Sequence, residues 1–139
     1  MDASVGVKWF VPEDHSAEAR AWRSGPDELH VPAFFFDLEI ASVLWMKVRR
    51  AEITRSDADL ILAQLPALPV VRHPEAPLLT PAFDMADRTQ RTVYDCLYLA
   101  LAVQLGGRMV TADQRLYNSL AGTSWAPYLC WVADVPTTP

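Results

Sequence analysis

The stretch Val93-Tyr94-Asp95-Cys96-Leu97-Tyr98-Leu99-Ala100-Leu101-Ala102-Val103-Gln104-Leu105-Gly106-Gly107-Arg108-Met109-Val110-Thr111-Ala112-Asp113 decides the fold. Val93 to Leu105 reads as a helix with an almost wholly apolar surface, so it belongs in the middle of the molecule. Gly106-Gly107 ends it, because glycine accepts the left-handed conformation that commonly follows a helix. Arg108 to Ala112 then reads as a short buried strand running into Asp113. A central helix that turns directly into a buried strand is the repeating unit of an α/β sheet.

The same alternation continues outward in both directions. After Asp113 a short helix runs to about Leu120, and Tyr128 to Val132 is a last strand. Upstream, Leu78 to Arg91 reads as a helix and Pro69-Val70-Val71-Arg72-His73 as a strand. Thr54-Arg55-Ser56-Asp57 opens another helix, with Ser56 as its expected N-cap and Pro66 beyond its end. From about Pro32 to about Arg50, Phe35, Leu38, Val43, Leu44, Met46 and Val48 recur at three- and four-residue spacings. Lys47, Arg49 and Arg50 cluster at the end, where cations suit the helix dipole, and this helix is expected to be long and mostly buried. Leu29-His30-Val31 is a short strand stopped by Pro32, and Asp14 to Ser24 an amphipathic helix between Pro12 and Gly25-Pro26. The expected architecture is α/β with helices on both faces of a sheet, one domain over 1–139 in which 133–139 form a frayed tail.

Composition excludes several classes. A chain of 139 residues with 51% hydrophobic residues has enough apolar surface for one core and is not disordered. Its net charge of −5 rules out coating nucleic acid through bulk positive charge, while leaving room for a basic rim around an acidic site. Arg49, Arg50, Arg55, Arg88, Arg91 and Arg115 are candidates for that rim, although surface solvation alone would explain each of them. The longest uncharged stretch, Leu116 to Ala133, is interrupted by Asn118, Ser119, Gly122, Thr123, Ser124 and Pro127 and does not suit a bilayer. No secretory signal is apparent, so a cytoplasmic location is expected. Cys96 and Cys130 lie in apolar surroundings without histidines at metal spacing and read as buried thiols rather than zinc ligands. His15, His30 and His73 read as surface or strand-end residues.

Four carboxylates stand where a carboxylate is awkward. Asp2 lies beside apolar residues, Glu39 inside an apolar helix among Phe34, Phe35, Phe36, Leu38, Ile40 and Val43, Asp95 at the start of the most apolar helix, and Asp113 at a strand end. Asp113 could simply cap the following helix, and Asp95 could simply meet the dipole of its own. Glu39 is harder to explain away, since an ionised carboxylate in such a helix is costly unless it faces a polar cleft or a cation. In a parallel α/β sheet, ligands bind beyond the carboxyl ends of the strands, where Asp2 and Asp113 would both lie. Two charges about 4 Å apart repel by roughly 4 kcal/mol at an effective dielectric near 20, so four convergent acids call for protonation or a divalent cation. An all-oxygen site suits Mg²⁺ or Mn²⁺ better than zinc.

Asp2-Ala3-Ser4-Val5 with Val7-Lys8-Trp9-Phe10, Leu38-Glu39-Ile40-Ala41, Tyr94-Asp95-Cys96-Leu97-Tyr98-Leu99-Ala100-Leu101-Ala102, and Val110-Thr111-Ala112-Asp113 with Leu116 behind it resemble the successive motifs of PIN-domain nucleases. The closest subgroup is the VapC-type ribonuclease toxins of bacterial toxin–antitoxin pairs. The resemblance spans nearly the whole chain, and four motifs in this order are far more specific than any one. It implies a three-layer PIN-like fold, with a short, mostly parallel central sheet of about 4–5 strands flanked by about 6–7 helices. It implies that Asp2, Glu39, Asp95 and Asp113 form the catalytic pocket and hold Mg²⁺ or Mn²⁺, with Asp2 and Asp95 the most direct ligands. A water activated by the metal would then attack an RNA phosphodiester in line. Ser4 and Thr111 match the small hydroxyl positions that would hydrogen-bond to the acids, although both could instead only cap or pack. A cognate VapB-like antitoxin and a homodimer are the partners implied.

Two departures from the family pattern stand out. Only Met1 precedes Asp2, so the strand that ends at the first acid is expected to be nearly absent here, and Ser42 stands where asparagine is frequent. Two other readings compete: a PIN-like binding module impaired in catalysis and acting through a protein partner, and an acidic Mg²⁺ pocket of the receiver or phosphatase kind. Ser4 stands where a phosphatase would carry its second acid, which counts against the latter. Phe34-Phe35-Phe36 and the tryptophans could stack RNA bases, but such residues more often fill a core or an interface, with Phe35 assigned to the core.

Overall fold

In the computed structural model, which describes residues 1–136, four short strands pair in parallel as two ribbons. β1 (Leu29–Pro32) lies beside β2 (Val70–His73) with Leu29 opposite Val70, and β3 (Met109–Thr111) lies beside β4 (Leu129–Trp131) with Met109 opposite Leu129. Between the ribbons runs a two-residue bridge. Met1 N donates to His30 O at 3.1 Å on one side, and Asp2 N donates to Val110 O at 3.1 Å on the other. Met1 and Asp2 thus tie together the two two-stranded parallel sheets by one backbone bond to each.

Parallel pairing requires helical crossovers, and the chain supplies them. α1 (Ala3–Val7) and α2 (Ser16–Ser24) precede β1. α3 (Phe35–Arg49) and α4 (Arg55–Gln64) link β1 to β2, α5 (Leu79–Thr89) and α6 (Val93–Gln104) link β2 to β3, and α7 (Gln114–Ala121) links β3 to β4. α1 is absent from the sequence reading, which treats Asp2 as a strand end. A five-residue helix is too short for periodicity to reveal.

α6 is as central as its composition requires, with every residue from Cys96 to Ala102 buried, and Gly106 follows it at φ 63. α3 differs from expectation. Its buried residues are Phe36, Ile40 and Leu44, an i, i+4 stripe, while Leu38, Trp45 and Met46 are exposed. Gly6 lets α1 press on that stripe, since a Cβ there would lie 2.7 Å from Phe36 Cζ.

The first turn of α3 is fixed from outside. Phe34 at its N-cap supplies no capping oxygen, and Glu75 Oε1 takes the place of one, accepting from Phe34 N at 2.6 Å and Phe35 N at 2.8 Å. Arg72 donates to Asp37 Oδ2 at 2.9 Å and to Ala33 O and Leu65 O, both at 2.8 Å. β2 and the turn after it therefore set the position of the helix that carries Glu39. α4 is capped by Thr54 rather than Ser56, in a reciprocal box with Asp57, because the Thr54–Asp57 pair satisfies two amides where a lone Ser56 cap, two residues further on, would satisfy one. At the far end Asp134 N donates to Trp131 O at 2.9 Å and Val135 packs against the core. Of the tail expected to fray, 137–139 lie outside the described residues. Among the described residues no helix is long and apolar enough to cross a membrane.

Candidate active site

Asp2 is the most deeply set of the four acids, 4% exposed. It caps α1, and its Oδ1 accepts from Ser4 N at 3.0 Å, Val5 N at 3.4 Å and Ser4 Oγ at 2.5 Å. An aspartate before a helix satisfies first-turn amides in this way. Ser4 Oγ also accepts from Ala112 N at 2.9 Å and meets Thr111 Oγ1 at 3.5 Å. One hydroxyl thereby joins the start of α1 to the end of β3.

Thr111 is buried and accepts from Asp113 N at 3.1 Å. Asp113 caps α7, its Oδ1 accepting from Arg115 N at 2.9 Å and Leu116 N at 3.0 Å. Capping and site roles are compatible for Asp2 and Asp113, because each cap uses Oδ1 and leaves Oδ2 outside it.

Asp95 sits in the first turn of α6, where Thr92 Oγ1 accepts from its amide at 3.0 Å, and its Oδ2 lies 3.6 Å from Arg91 Nη2. Tyr98, three residues on and so on the same helix face, donates to Glu39 Oε1 at 3.4 Å. The sequence did not single out Tyr98, and it marked Arg91 only as one candidate for a basic rim. The spacing of Tyr98 from Asp95 was the available signal, masked by the apolar run around it.

Electrostatics tie the four acids together. Burial pushes the Glu39 carboxyl up from 4.5 to about 7, the negative charges of Asp2 and Asp95 and then Asp113 push the same way, and the Tyr98 bond opposes them. Burial raises Asp2 as well, against the Ser4 and Thr111 hydroxyls that favour its ionised form. The Tyr98 phenol is raised by burial and by the charges of Glu39 and Asp2, so it remains a donor.

Among the described residues no three His, Cys, Asp or Glu side chains stand at the spacing of a ready-made metal site. Asp2 and Asp113 are turned onto helix amides, and Asp95 onto Arg91. The donor chemistry nevertheless fits a hard divalent cation: carboxylates without thiol or imidazole, whose negative charges add to burial in raising Glu39. Cys96 and Cys130 are buried thiols. His30 Nδ1 and His73 Nε2 meet at 2.9 Å across β1 and β2, a pairing that their separation in sequence conceals.

A family model described as PIN domain matches residues 1–119. Ribonuclease VapC3 of Pyrobaculum aerophilum is 37% identical over 123 residues, covering 84% of this chain and 89% of that protein. Ribonuclease VapC12 of Mycobacterium tuberculosis is 33% identical over 119 residues, covering 86% and 89%. Ribonuclease VapC9 of the same species is 36% identical over 119 residues, covering 86% and 88%.

Proposed function

The chain belongs to the PIN domain family, alongside relatives named VapC ribonucleases, and we propose on that premise that it is a metal-dependent endoribonuclease, the toxin of a toxin–antitoxin pair. The observation that carries the reading is that Asp2, Asp95 and Asp113 all act on the partly buried Glu39, whose carboxyl is lifted to about 7 by burial first and then by their charges. Asp2, Asp95, Glu39 and Asp113 would hold Mg²⁺ or Mn²⁺. When bound, such a cation supplies Lewis acidity to a water and offsets charge on a phosphodiester.

The residues themselves divide the remaining work. Ser4 and Thr111 hold Asp2 in place, so the deepest carboxylate is presented with little rotational freedom. Tyr98 fixes one oxygen of Glu39 and leaves the other to accept a proton from water. Glu39, fixed by Tyr98 through one oxygen, is the acid best placed to take and return that proton.

The apolar groove between α3 and α4, about 360 Å³ and lined by Ala41, Leu44, Trp45, Val48, Ala58 and Leu62, suits an apolar helix of a VapB-like antitoxin. The exposed Leu38, Trp45 and Met46 suit a homodimer contact, and free buried thiols suit the cytoplasm. The test is cleavage of a labelled RNA with Mg²⁺ or Mn²⁺, with EDTA and Asp95→Asn as controls. Metal-dependent cleavage that falls by about 100-fold or more in Asp95→Asn supports the reading. No cleavage across several RNA classes overturns it in favour of a binding module.

A further inference from the structure

We propose that Tyr94 is a stacking platform for a nucleobase of the bound RNA, the base flanking the phosphate held at the acids; this rests on the ribonuclease reading above. The Tyr94 ring lies nearly flat on Phe35, 16° between planes and 5.3 Å between centroids. Phe35 in turn tilts against Tyr98 at 5.7 Å, the residue that donates to Glu39. Three rings therefore run in series from the surface down to the acids. The outermost is open: Tyr94 is 65% exposed, as is Phe34, the chain neighbour of Phe35, at 70%.

An aromatic ring fixed by another ring on one side and bare on the other is half of a stack, and any base has the flat face that completes it. The surroundings favour a nucleotide over an apolar peptide. Tyr94 immediately precedes Asp95, so a base on its ring is one short step from a phosphate at the carboxylates. Arg91 stands one turn earlier, its Nη2 only loosely paired with Asp95 at 3.6 Å and its buried Nε without a hydrogen-bond partner among the described residues. In a chain of net charge −5, the part-exposed Arg91 guanidinium, paired with Asp95, keeps a cation at the same helix start as the exposed Tyr94 ring, and a nucleotide's phosphate and base call for a cation and a flat ring.

The experiment measures binding of a fluorescent single-stranded RNA to the full chain in Ca²⁺, a hard cation that occupies the acids in place of Mg²⁺ or Mn²⁺, over times too short for detectable cleavage, using wild type, Tyr94→Phe and Tyr94→Ala. A second RNA carries 2-aminopurine beside the bond that wild type cuts with Mn²⁺. Tyr94→Ala is expected to weaken Kd about tenfold and to abolish the quenching of 2-aminopurine, while Tyr94→Phe retains both. An abasic nucleotide at that position weakens wild type by the same factor and leaves Tyr94→Ala unchanged. Circular dichroism melting confirms that each variant folds, as expected for so exposed a side chain. Wild type that binds and cuts RNA while Tyr94→Ala binds equally well overturns the platform and leaves the ribonuclease reading intact. A Tyr94→Ala chain that binds RNA normally but changes its sedimentation assigns the ring to a protein contact and overturns it also. If wild type binds no RNA of any class, both readings fall.

Discussion

Tyr98 and Glu39 share a hydrogen bond of 3.4 Å between α6 and α3, donated by the phenol to Oε1. The phenol cannot reverse the direction of that bond, because burial and the charges of Glu39 and Asp2 keep its proton in place. The same bond lowers the Glu39 pKa against burial and like charge. Tyr98→Phe is therefore expected to raise it further. In a pH–rate profile of RNA cleavage the acidic limb moves up by about half to one pH unit; an unmoved limb would mean that Glu39 does not control it.

Glu39 also sets a pH dependence of stability. Its carboxyl titrates near 7 in the fold against an ordinary 4.5, so the folded state prefers the protonated form. Its stability relative to an unburied acid is intact below about 4.5 and is lost as pH rises through about 7, by at most about 3 kcal/mol. The chelated protein should lose urea resistance across that window relative to Glu39→Gln, because the Met1 ammonium, pushed down to about 6 by burial, acts in the opposite direction in both proteins. Glu39→Gln should be the more stable of the two at pH 8, and a wild-type midpoint that does not fall relative to that of Glu39→Gln from pH 5 to 8 would contradict the buried, like-charged environment.

A divalent cation should reverse that loss. Mn²⁺ at 100 times its Kd stabilises a protein that binds it only when folded by about 2.7 kcal/mol. The thermal midpoint is expected to rise with Mn²⁺ at pH 8 and to respond much less at pH 5.5, where the Glu39 proton competes. Asp95→Asn should blunt the response, and calorimetric thermograms that ignore Mn²⁺ at both pH values would remove the cation from the site.

The seat of α1 gives a packing prediction. Gly6→Ala places a methyl group 2.7 Å from Phe36 Cζ, and overpacking of this kind costs about 1–3 kcal/mol. Since α1 begins at the Asp2 cap, the variant should lose cleavage as well as denaturant resistance. Full activity with reduced stability would show that Asp2 holds its place without α1.

The sequence revealed most about elements with a strong local pattern. α6 and β3 were legible because apolar density, Gly106-Gly107 and the following strand all agree. The four acids were legible because a carboxylate in an apolar setting calls for a reason. What stayed hidden was tertiary. Glu75 capping α3 from beyond β2 leaves no local trace, and the buried stripe of α3 at Phe36, Ile40 and Leu44 is indistinguishable by composition from its exposed Leu38, Trp45 and Met46. Ser4 was readable as a neighbour of Asp2, but its bond to Ala112 N spans most of the chain.

The bridge of Met1 and Asp2 has a mechanical meaning. Asp2 offers its side chain to the acids and its amide to Val110, while its neighbour Met1 bonds to His30, so one dipeptide is both a reactive group's mount and the seam between two half-sheets. Any shear of one half against the other is transmitted to that carboxylate at once. Conversely, a ligand that clamps Asp2 stitches the halves together, which makes the slowing of hydrogen exchange at the Asp2 amide a direct gauge of how firmly the site is gripped.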